Sequence, residues 1–168
     1  EDTEIYFRKV AELKEGETRP SKFLKGAKFE LLYKAEGDDQ FTNVVDKDNK
    51  NLEATSDENG IFKFTSLNDG TYQVKEVSPP AGYQKPENEI VYTFKVKNKK
   101  LYKVDENNSE TEIVDNKLEN PIDISNKPGT YPYTGGDGIS KLLTLAGVLL
   151  MSLAMLAFMK KRNSALET

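Results

Sequence analysis

The chain has 168 residues, 24 Lys+Arg against 28 Asp+Glu, a formal net charge of −4, and neither cysteine nor histidine. Without these two residue types, disulfide scaffolds, thiol catalysis and the common zinc sites are excluded, and no cofactor is predicted. The acidic balance argues against nucleic acid as a partner, because proteins that bind nucleic acid present clustered basic charge. Any extra covalent bracing must therefore come from other side chains.

Short segments in the first 124 residues alternate apolar and polar residues, a period of two that predicts β-strands. The turns between them are rich in Gly, Asn, Asp and Pro. This spacing predicts an all-β fold over residues 1–124, an antiparallel sandwich in which each of two sheets buries one face. The predicted strands cover residues 5–11, 27–34, 60–64, 71–77, 89–97 and 111–118.

Three polar residues fall on the apolar faces of these predicted strands. They are Lys9 in the first strand, Glu76 in a middle strand and Asn116 in the last, each with apolar residues two positions away. Because a buried charge is expensive unless it is paired, we expect the three side chains to meet in the core.

The three side chains could react with one another if they meet in this way. Burial favours the neutral amine of Lys9, which is a nucleophile, and the protonated carboxyl of Glu76. Lys9 could attack the Asn116 carboxamide while Glu76 polarises the carbonyl and shuttles protons, with ammonia as the leaving group. A buried Lys9–Glu76 salt bridge beside Asn116 is the simpler alternative. Asn120 has the same parity as Asn116 and is a second candidate acceptor.

The C-terminal region follows a different pattern. Residues 125–130 have the Ser-Asn-Lys-Pro-Gly composition of a linker. An apolar run at 142–159 gives about 27 Å of helix, close to the roughly 30 Å hydrocarbon core of a bilayer. A basic tail at 160–168 begins with Lys160-Lys161-Arg162, and basic residues that flank a span stay in the cytoplasm. We therefore predict one transmembrane helix, with everything before it outside the cell.

The motif Tyr131-Pro132-Tyr133-Thr134-Gly135 precedes this span. Pro132 biases Tyr131 toward an extended conformation, and Gly135 leaves the Thr134 carbonyl open to attack because it has no Cβ. An ordinary Pro-Gly turn before a membrane anchor is the alternative interpretation.

The motif, the apolar run and the basic tail together resemble a sortase cell-wall sorting signal in its YPxTG variant. The resemblance implies a sortase of class A or of the pilus-specific class C as partner. The sortase would recognise Tyr131, Pro132, Thr134 and Gly135 and cleave after Thr134. It would pass the Thr134 acyl group to an amine of a peptidoglycan precursor or of another pilin subunit. The membrane would then be only a transient partner, through residues 142–159.

Most of residues 4–120 resemble a Cna B-type domain. The resemblance is carried by Tyr6-Phe7-Arg8-Lys9-Val10, by Leu24-Lys25-Gly26-Ala27-Lys28-Phe29-Glu30-Leu31, and by Gly70-Thr71-Tyr72-Gln73-Val74-Lys75-Glu76 with the following Pro80-Ala81-Gly82-Tyr83. It implies a transthyretin-like or reversed immunoglobulin β-sandwich. It also implies a Lys9–Asn116 isopeptide bond, formed once by the domain on itself with Glu76 as proton shuttle.

These features predict a stalk and anchor module of a secreted, wall-attached Gram-positive surface protein, an ancillary pilin or adhesin subunit without enzyme activity of its own. The chain begins at Glu1 without an initiator Met or signal peptide, so we expect it to be the C-terminal part of a longer protein. Two alternatives remain at this stage. One is a domain that binds a host matrix protein, and the other is the stem of a wall-anchored enzyme whose catalytic domain lies upstream.

Overall fold

Ten β-strands make up the regular structure of residues 2–129, the part of the chain that the computed structural model describes. The prediction of an all-β sandwich is confirmed, and these residues contain no helix. Within the same range, no helix is long and apolar enough to cross a membrane. The predicted transmembrane helix at 142–159 and the basic tail at 160–168 lie outside the described residues.

The strands follow the hydrophobic alternation of the sequence. Their bounds are β1 Ile5–Ala11, β2 Lys28–Lys34, β3 Thr42–Asn43, β4 Glu53–Thr55, β5 Ile61–Phe64, β6 Gly70–Ser78, β7 Ile90–Lys97, β8 Lys100–Val104, β9 Glu110–Ile113 and β10 Ile122–Asn126. In β6 the inward positions Tyr72, Val74 and Glu76 are buried, while the residues between them are partly exposed. This is the period of two that the sequence predicted.

Two sheets form the sandwich. The smaller has the strand order β10-β1-β5, and the larger has the order β3-β2-β6-β7-β8-β9 with β4 also paired to β2. Strand β1 pairs antiparallel with β5 and parallel with β10, so the first and last strands of the domain are neighbours that run in the same direction. That arrangement brings side chains from the two ends of the folded unit together.

The core between the sheets is rich in aromatic side chains. Phe62 of β5 stacks on Phe29 of β2, with ring centroids 3.9 Å apart, and on Phe7 of β1 at 5.2 Å. Phe7 and Phe29 are completely buried. Aromatic pairs of this kind add to the stabilisation that comes from burying their surface. The result is a dry interior on the side of β1 that carries Lys9.

The structure differs from the sequence prediction near the end of the domain. Strand β9 ends at Ile113, and Asp115 has a positive φ of 55°, a conformation that a regular strand does not accommodate. Val114 and Leu118, predicted to face inward, are 71% and 54% exposed. The last strand is instead Ile122–Asn126, which includes two residues of the predicted linker at 125–130. The folded unit extends to Gly129.

Candidate functional site

Lys9 and Glu76 meet in the core, as their positions on the apolar faces of two strands predict. Lys9 lies on β1 and Glu76 on β6 of the opposite sheet, and neither side chain has any exposed surface. The Lys9 Nζ donates a hydrogen bond to Glu76 Oε2 at 2.9 Å. A buried ion pair needs further polar partners to offset its desolvation. The third member of the site supplies them.

Asn126, at the end of β10, is that third member. Its Oδ1 accepts a hydrogen bond from Lys9 Nζ at 2.5 Å, and its Nδ2 donates to Glu76 Oε1 at 2.6 Å. Asn126 is 4% exposed. The main chain fixes its position, because the Asn126 carbonyl accepts a hydrogen bond from the Glu12 N–H at 3.0 Å. Lys9, Glu76 and Asn126 thus form a closed triangle of polar contacts, which we call the core triad.

Irregular strand pairing surrounds Glu76. The register of β6 shifts against β2 between Lys28 and Phe29, and against β7 between Val74 and Lys75. Such bulges bend a strand and redirect its side chains, and they are frequent beside functional sites. Phe29, the β2 partner of Glu76, also places its ring centroid 5.6 Å from Lys9 Nζ. The same pairing therefore positions the carboxylate and shields the amine from water.

The structure places Asn126 beside Lys9, and not the predicted Asn116. The side-chain hydrogen bonds of Asn116 go to the main chain of Tyr6 and not to Lys9. Its Oδ1 accepts a hydrogen bond from the Tyr6 N–H at 2.7 Å, and its Nδ2 donates to the Tyr6 carbonyl at 2.9 Å. Asn120, the second candidate, is exposed and donates to the Asp115 carbonyl at 3.0 Å. The physical reason is the end of β9 at Ile113, which removes both residues from the regular alternation.

The alternation of β10 is the signal that would have identified Asn126. Ile122, Ile124 and Asn126 share one face of the strand, and the last two are buried. The Ser-Asn-Lys-Pro-Gly composition of the same stretch favoured a linker instead. Two apolar residues at the correct spacing before Asn126 therefore carried more information than the local composition.

The surroundings of the core triad favour a neutral lysine. Burial lowers the pKa of Lys9 from its ordinary value of 10.5, and the hydrogen bond and charge of Glu76 partly oppose this change. A lowered pKa makes the unprotonated amine accessible at lower pH, and only that form is a nucleophile.

The contacts suit an acyl transfer from the amide to the amine. One Glu76 oxygen faces Lys9 Nζ, and the other faces Asn126 Nδ2. A single carboxyl group can therefore take a proton from the attacking nitrogen and give one to the leaving nitrogen without moving far. Among residues 2–129, no buried side-chain polar atom lacks a hydrogen-bond partner, and no group of acidic residues could hold a metal ion.

The residues of the predicted sorting motif, Tyr131, Pro132, Thr134 and Gly135, lie outside the described part of the chain. The last described residues, 127–129, pair with the loop at 82–84 through an isolated Tyr83–Pro128 bridge. The described chain therefore remains attached to the domain up to Gly129, two residues before the motif begins.

Two family matches cover most of the sequence. Residues 9–111 match SpaA, described as a prealbumin-like fold domain, and residues 123–165 match the LPXTG cell wall anchor motif of the Gram-positive anchor family. The second match includes Asn126 and the sorting motif. No curated protein sequence matches the chain.

Several solved structures are similar to the domain. The pilus adhesin RrgA from Streptococcus pneumoniae has 25% identity and a TM-score of 0.52, over 76% of this chain and 15% of RrgA. The group B streptococcus pilus 2b backbone protein has 27% identity and a TM-score of 0.48, over 77% of this chain and 42% of that protein. A streptococcal ancillary pilin has 22% identity and a TM-score of 0.48, over 77% and 30%. The chain therefore spans less than half of each of these proteins.

Proposed function

The chain belongs to the SpaA family of prealbumin-like fold domains and carries an LPXTG cell wall anchor motif, and from this premise we propose that it is a self-cross-linking stalk module. The protein is a wall-anchored surface protein of a Gram-positive bacterium. In the proposed function, an isopeptide bond between Lys9 and Asn126 braces the domain, and Thr134 becomes the point of covalent attachment to the envelope.

The core triad is the observation that carries this proposal. Its members come from β1, β6 and β10, and they approach within 2.5 to 2.9 Å of one another in a buried site. Proximity of this kind replaces a bimolecular encounter by an intramolecular one and supplies much of the rate of acyl transfer. The carboxylate bridges the nucleophile and the leaving group, as the proton transfers require.

The bond would join residues that are 117 positions apart. If it is treated like a disulfide, closing a loop of that length stabilises the fold by about 5 kcal/mol. The bond would also limit how far the domain can extend under force. Force applied at the two ends of the domain would pass through the bond, so the residues between 9 and 126 could not extend. At about 3.5 Å per residue, this prevents an extension of about 400 Å.

Attachment through Thr134 rests on the order of the C-terminal elements. The LPXTG match at 123–165 implies processing by a sortase, and the apolar run then serves only to hold the chain until cleavage. The acceptor would be an amine of a peptidoglycan precursor or of another pilin. We propose an ancillary pilin or adhesin subunit, for which the likeness to the pilus adhesin RrgA is the support.

The role of this part of the chain is structural and not enzymatic. The similarity of the domain to the pilus adhesin RrgA supports this structural role. Both reactants of the reaction that the core triad suits are buried side chains of the domain itself. Such a reaction occurs once per molecule and gives no turnover.

The intact mass of residues 1–129 tests the cross-link. We expect a mass lower than the sequence mass by one ammonia, and the full sequence mass after Lys9→Ala, Asn126→Ala or Glu76→Gln, after allowance for each substitution. Asn116→Ala is the matched control, since it removes an asparagine next to the same strand and should leave the ammonia loss intact. A wild-type domain with the full sequence mass contradicts the cross-link.

Cell fractionation tests the attachment independently. In a sortase-containing Gram-positive host, the 168-residue chain behind a signal peptide should be released by a wall-degrading muramidase and should lack residues 135–168. Pro132→Ala should shift it to the membrane fraction with the tail intact. Release of the wild-type protein by detergent alone, with its tail retained, would exclude covalent attachment.

A further inference from the structure

The side-chain nitrogen of Asn126 has two hydrogens, and each has its own acceptor. One is Glu76 Oε1 at 2.6 Å, and the other is the main-chain carbonyl oxygen of Gln84 at 3.0 Å. In the cross-linking reaction proposed above, on which this inference rests, Nδ2 is the atom that leaves. We infer that the Gln84 carbonyl is a further catalytic group, which orients the leaving nitrogen and stabilises it as it gains a proton.

The reaction shows when the carbonyl acts. One proton moves from Lys9 Nζ to Glu76, which gives a neutral amine and a carboxylic acid. Nζ then bonds to Asn126 Cγ, the acid gives its proton to Nδ2, and the carboxylate takes a second proton from Nζ. The Cγ–Nδ2 bond breaks, ammonia leaves, and Glu76 remains protonated. Positive charge builds up on Nδ2 as it is protonated, and an aligned carbonyl dipole stabilises that charge.

Orientation is the second effect of the Gln84 carbonyl. With both Nδ2 hydrogens bound, the amide plane cannot rotate, and its oxygen remains directed at Lys9 Nζ. Rotation would put the amide nitrogen next to the amine and would remove the proton path through Glu76. The two acceptors together therefore select the reactive orientation of Asn126.

The chain that follows β10 holds Gln84 in place. The Gln84 N–H donates to the Lys127 carbonyl at 2.9 Å, and the Gln84 Nε2 donates to the Pro128 carbonyl at 3.0 Å. The Gly129 N–H donates to the Gly82 carbonyl at 2.7 Å. We call this pairing of residues 82–84 with 127–129 the clasp. The clasp holds the main chain of Gln84, and with it the carbonyl that Asn126 contacts.

Gly129 shows how closely the two segments of the clasp approach. A Cβ at this position would lie 3.0 Å from the Gly82 carbonyl oxygen, closer than side chains normally come to main-chain atoms. A larger residue would therefore push the segments apart. Beside the clasp, a cleft of about 340 Å³ opens next to Asn126 and is lined by Gln84, Ser125 and Lys127. This cleft gives the released ammonia a path to solvent.

Refolding kinetics of the 168-residue chain test the inference. Chain recovered in urea from inclusion bodies, which has not folded and in which Lys9 and Asn126 have not reacted, is diluted into detergent micelles, and the fraction that has lost ammonia is followed by intact mass. Gln84→Ala with Gly129→Val opens the clasp, and we expect the reaction to slow by about 10- to 100-fold, because small displacements of reacting groups have effects of that size. Gln40→Ala, at an exposed glutamine, is the matched control and should react at the wild-type rate.

The pH dependence of the rate separates positioning from general loosening. If the clasp positions Gln84, the rate of the double variant falls at every pH and the midpoint of the pH profile stays that of the wild type. If the substitutions only admit water, the pKa of Lys9 returns toward 10.5 and the midpoint moves to higher pH. Asn116→Ala lowers stability away from the clasp, so its rate and midpoint should match the wild type.

The outcomes distinguish this inference from the proposed function. A wild-type chain that never loses ammonia overturns the cross-link and the role of Gln84 together. A wild-type chain that does lose ammonia, with a double variant that reacts at the same rate or with a shifted midpoint, overturns the role of Gln84 alone. A slower reaction at an unchanged midpoint supports it.

Discussion

Asn116 and Asn126 both lie beside strand β1, but their side chains make different contacts. Asn116 binds the main chain of Tyr6, donating to its carbonyl and accepting from its N–H, just before the pairing of β1 with β10 begins at Phe7. Asn126 turns inward and meets two ionisable side chains that are fully buried. The same side chain is thus a structural cap at a half-buried position and a proposed reactant at a dry one. Burial, and not residue type, separates them.

The largest expected difference is in thermal stability. Asn126→Ala removes the acceptor of the proposed cross-link and should cost about 5 kcal/mol, which lowers the Tm by roughly 15 to 25 °C. Asn116→Ala removes two hydrogen bonds and should cost about 2 kcal/mol, with the cross-link retained. Thermal unfolding followed by circular dichroism, with intact mass on each sample, measures both. Equal losses of stability would remove the distinction between the two residues.

A second prediction concerns the buried charges of Lys9 and Glu76, which contact Asn126 and not Asn116. In the Asn126→Ala background, Lys9→Met leaves Glu76 without its partner and should cost a further 3 to 5 kcal/mol or so. Adding Glu76→Leu should restore most of this loss, because an apolar pair of similar volume needs no partner. Urea unfolding of the three variants gives the values. If adding Lys9→Met to Asn126→Ala leaves the free energy of unfolding unchanged, Lys9 and Glu76 are not buried as described.

The stability of the domain should also depend on pH through the buried Lys9. The pKa of Lys9 is lowered in the folded state, so the unfolded state binds more protons between that value and 10.5. The stability of the uncross-linked Asn126→Ala variant should therefore rise with pH through this window and be constant below it. Lys9→Met in the same background should lack this rise. Urea unfolding between pH 7 and pH 10 makes the comparison, and parallel curves would contradict it.

Much of the fold could be predicted, because alternation is a direct consequence of a sheet with one buried face. Strand β1 has the predicted bounds, and Lys9 and Glu76 were identified because a charged residue interrupted an apolar face. The pairing of β1 with β10 could not be predicted, since it depends on which distant strands become neighbours. Asn126 was missed for this reason. Asn116 was chosen on an apparent alternation with Val114 and Leu118, and the positive φ of Asp115 that breaks this alternation leaves no clear mark in the sequence.

The smallest expected effect is at the surface of the β1–β10 pair. Arg8 forms a salt bridge with Asp123 at 2.8 Å, and both side chains are about one-third exposed. Solvent screens such pairs, so Asp123→Ala should cost less than about 1 kcal/mol, and less still in high salt. Thermal unfolding at two ionic strengths checks this. A cost near that of Asn126→Ala would show that the ion pair, and not the core triad, holds the two strands together.

The parallel pairing of β1 and β10 also sets the polarity of the module. The polypeptide enters at one end of the small sheet and leaves at the other, so Ile5 and Asn126 lie at opposite ends of this sheet. Seven residues of β1 correspond to about 23 Å along the sheet. A domain that its chain crosses from end to end in this way adds at least that length between the segments that it joins.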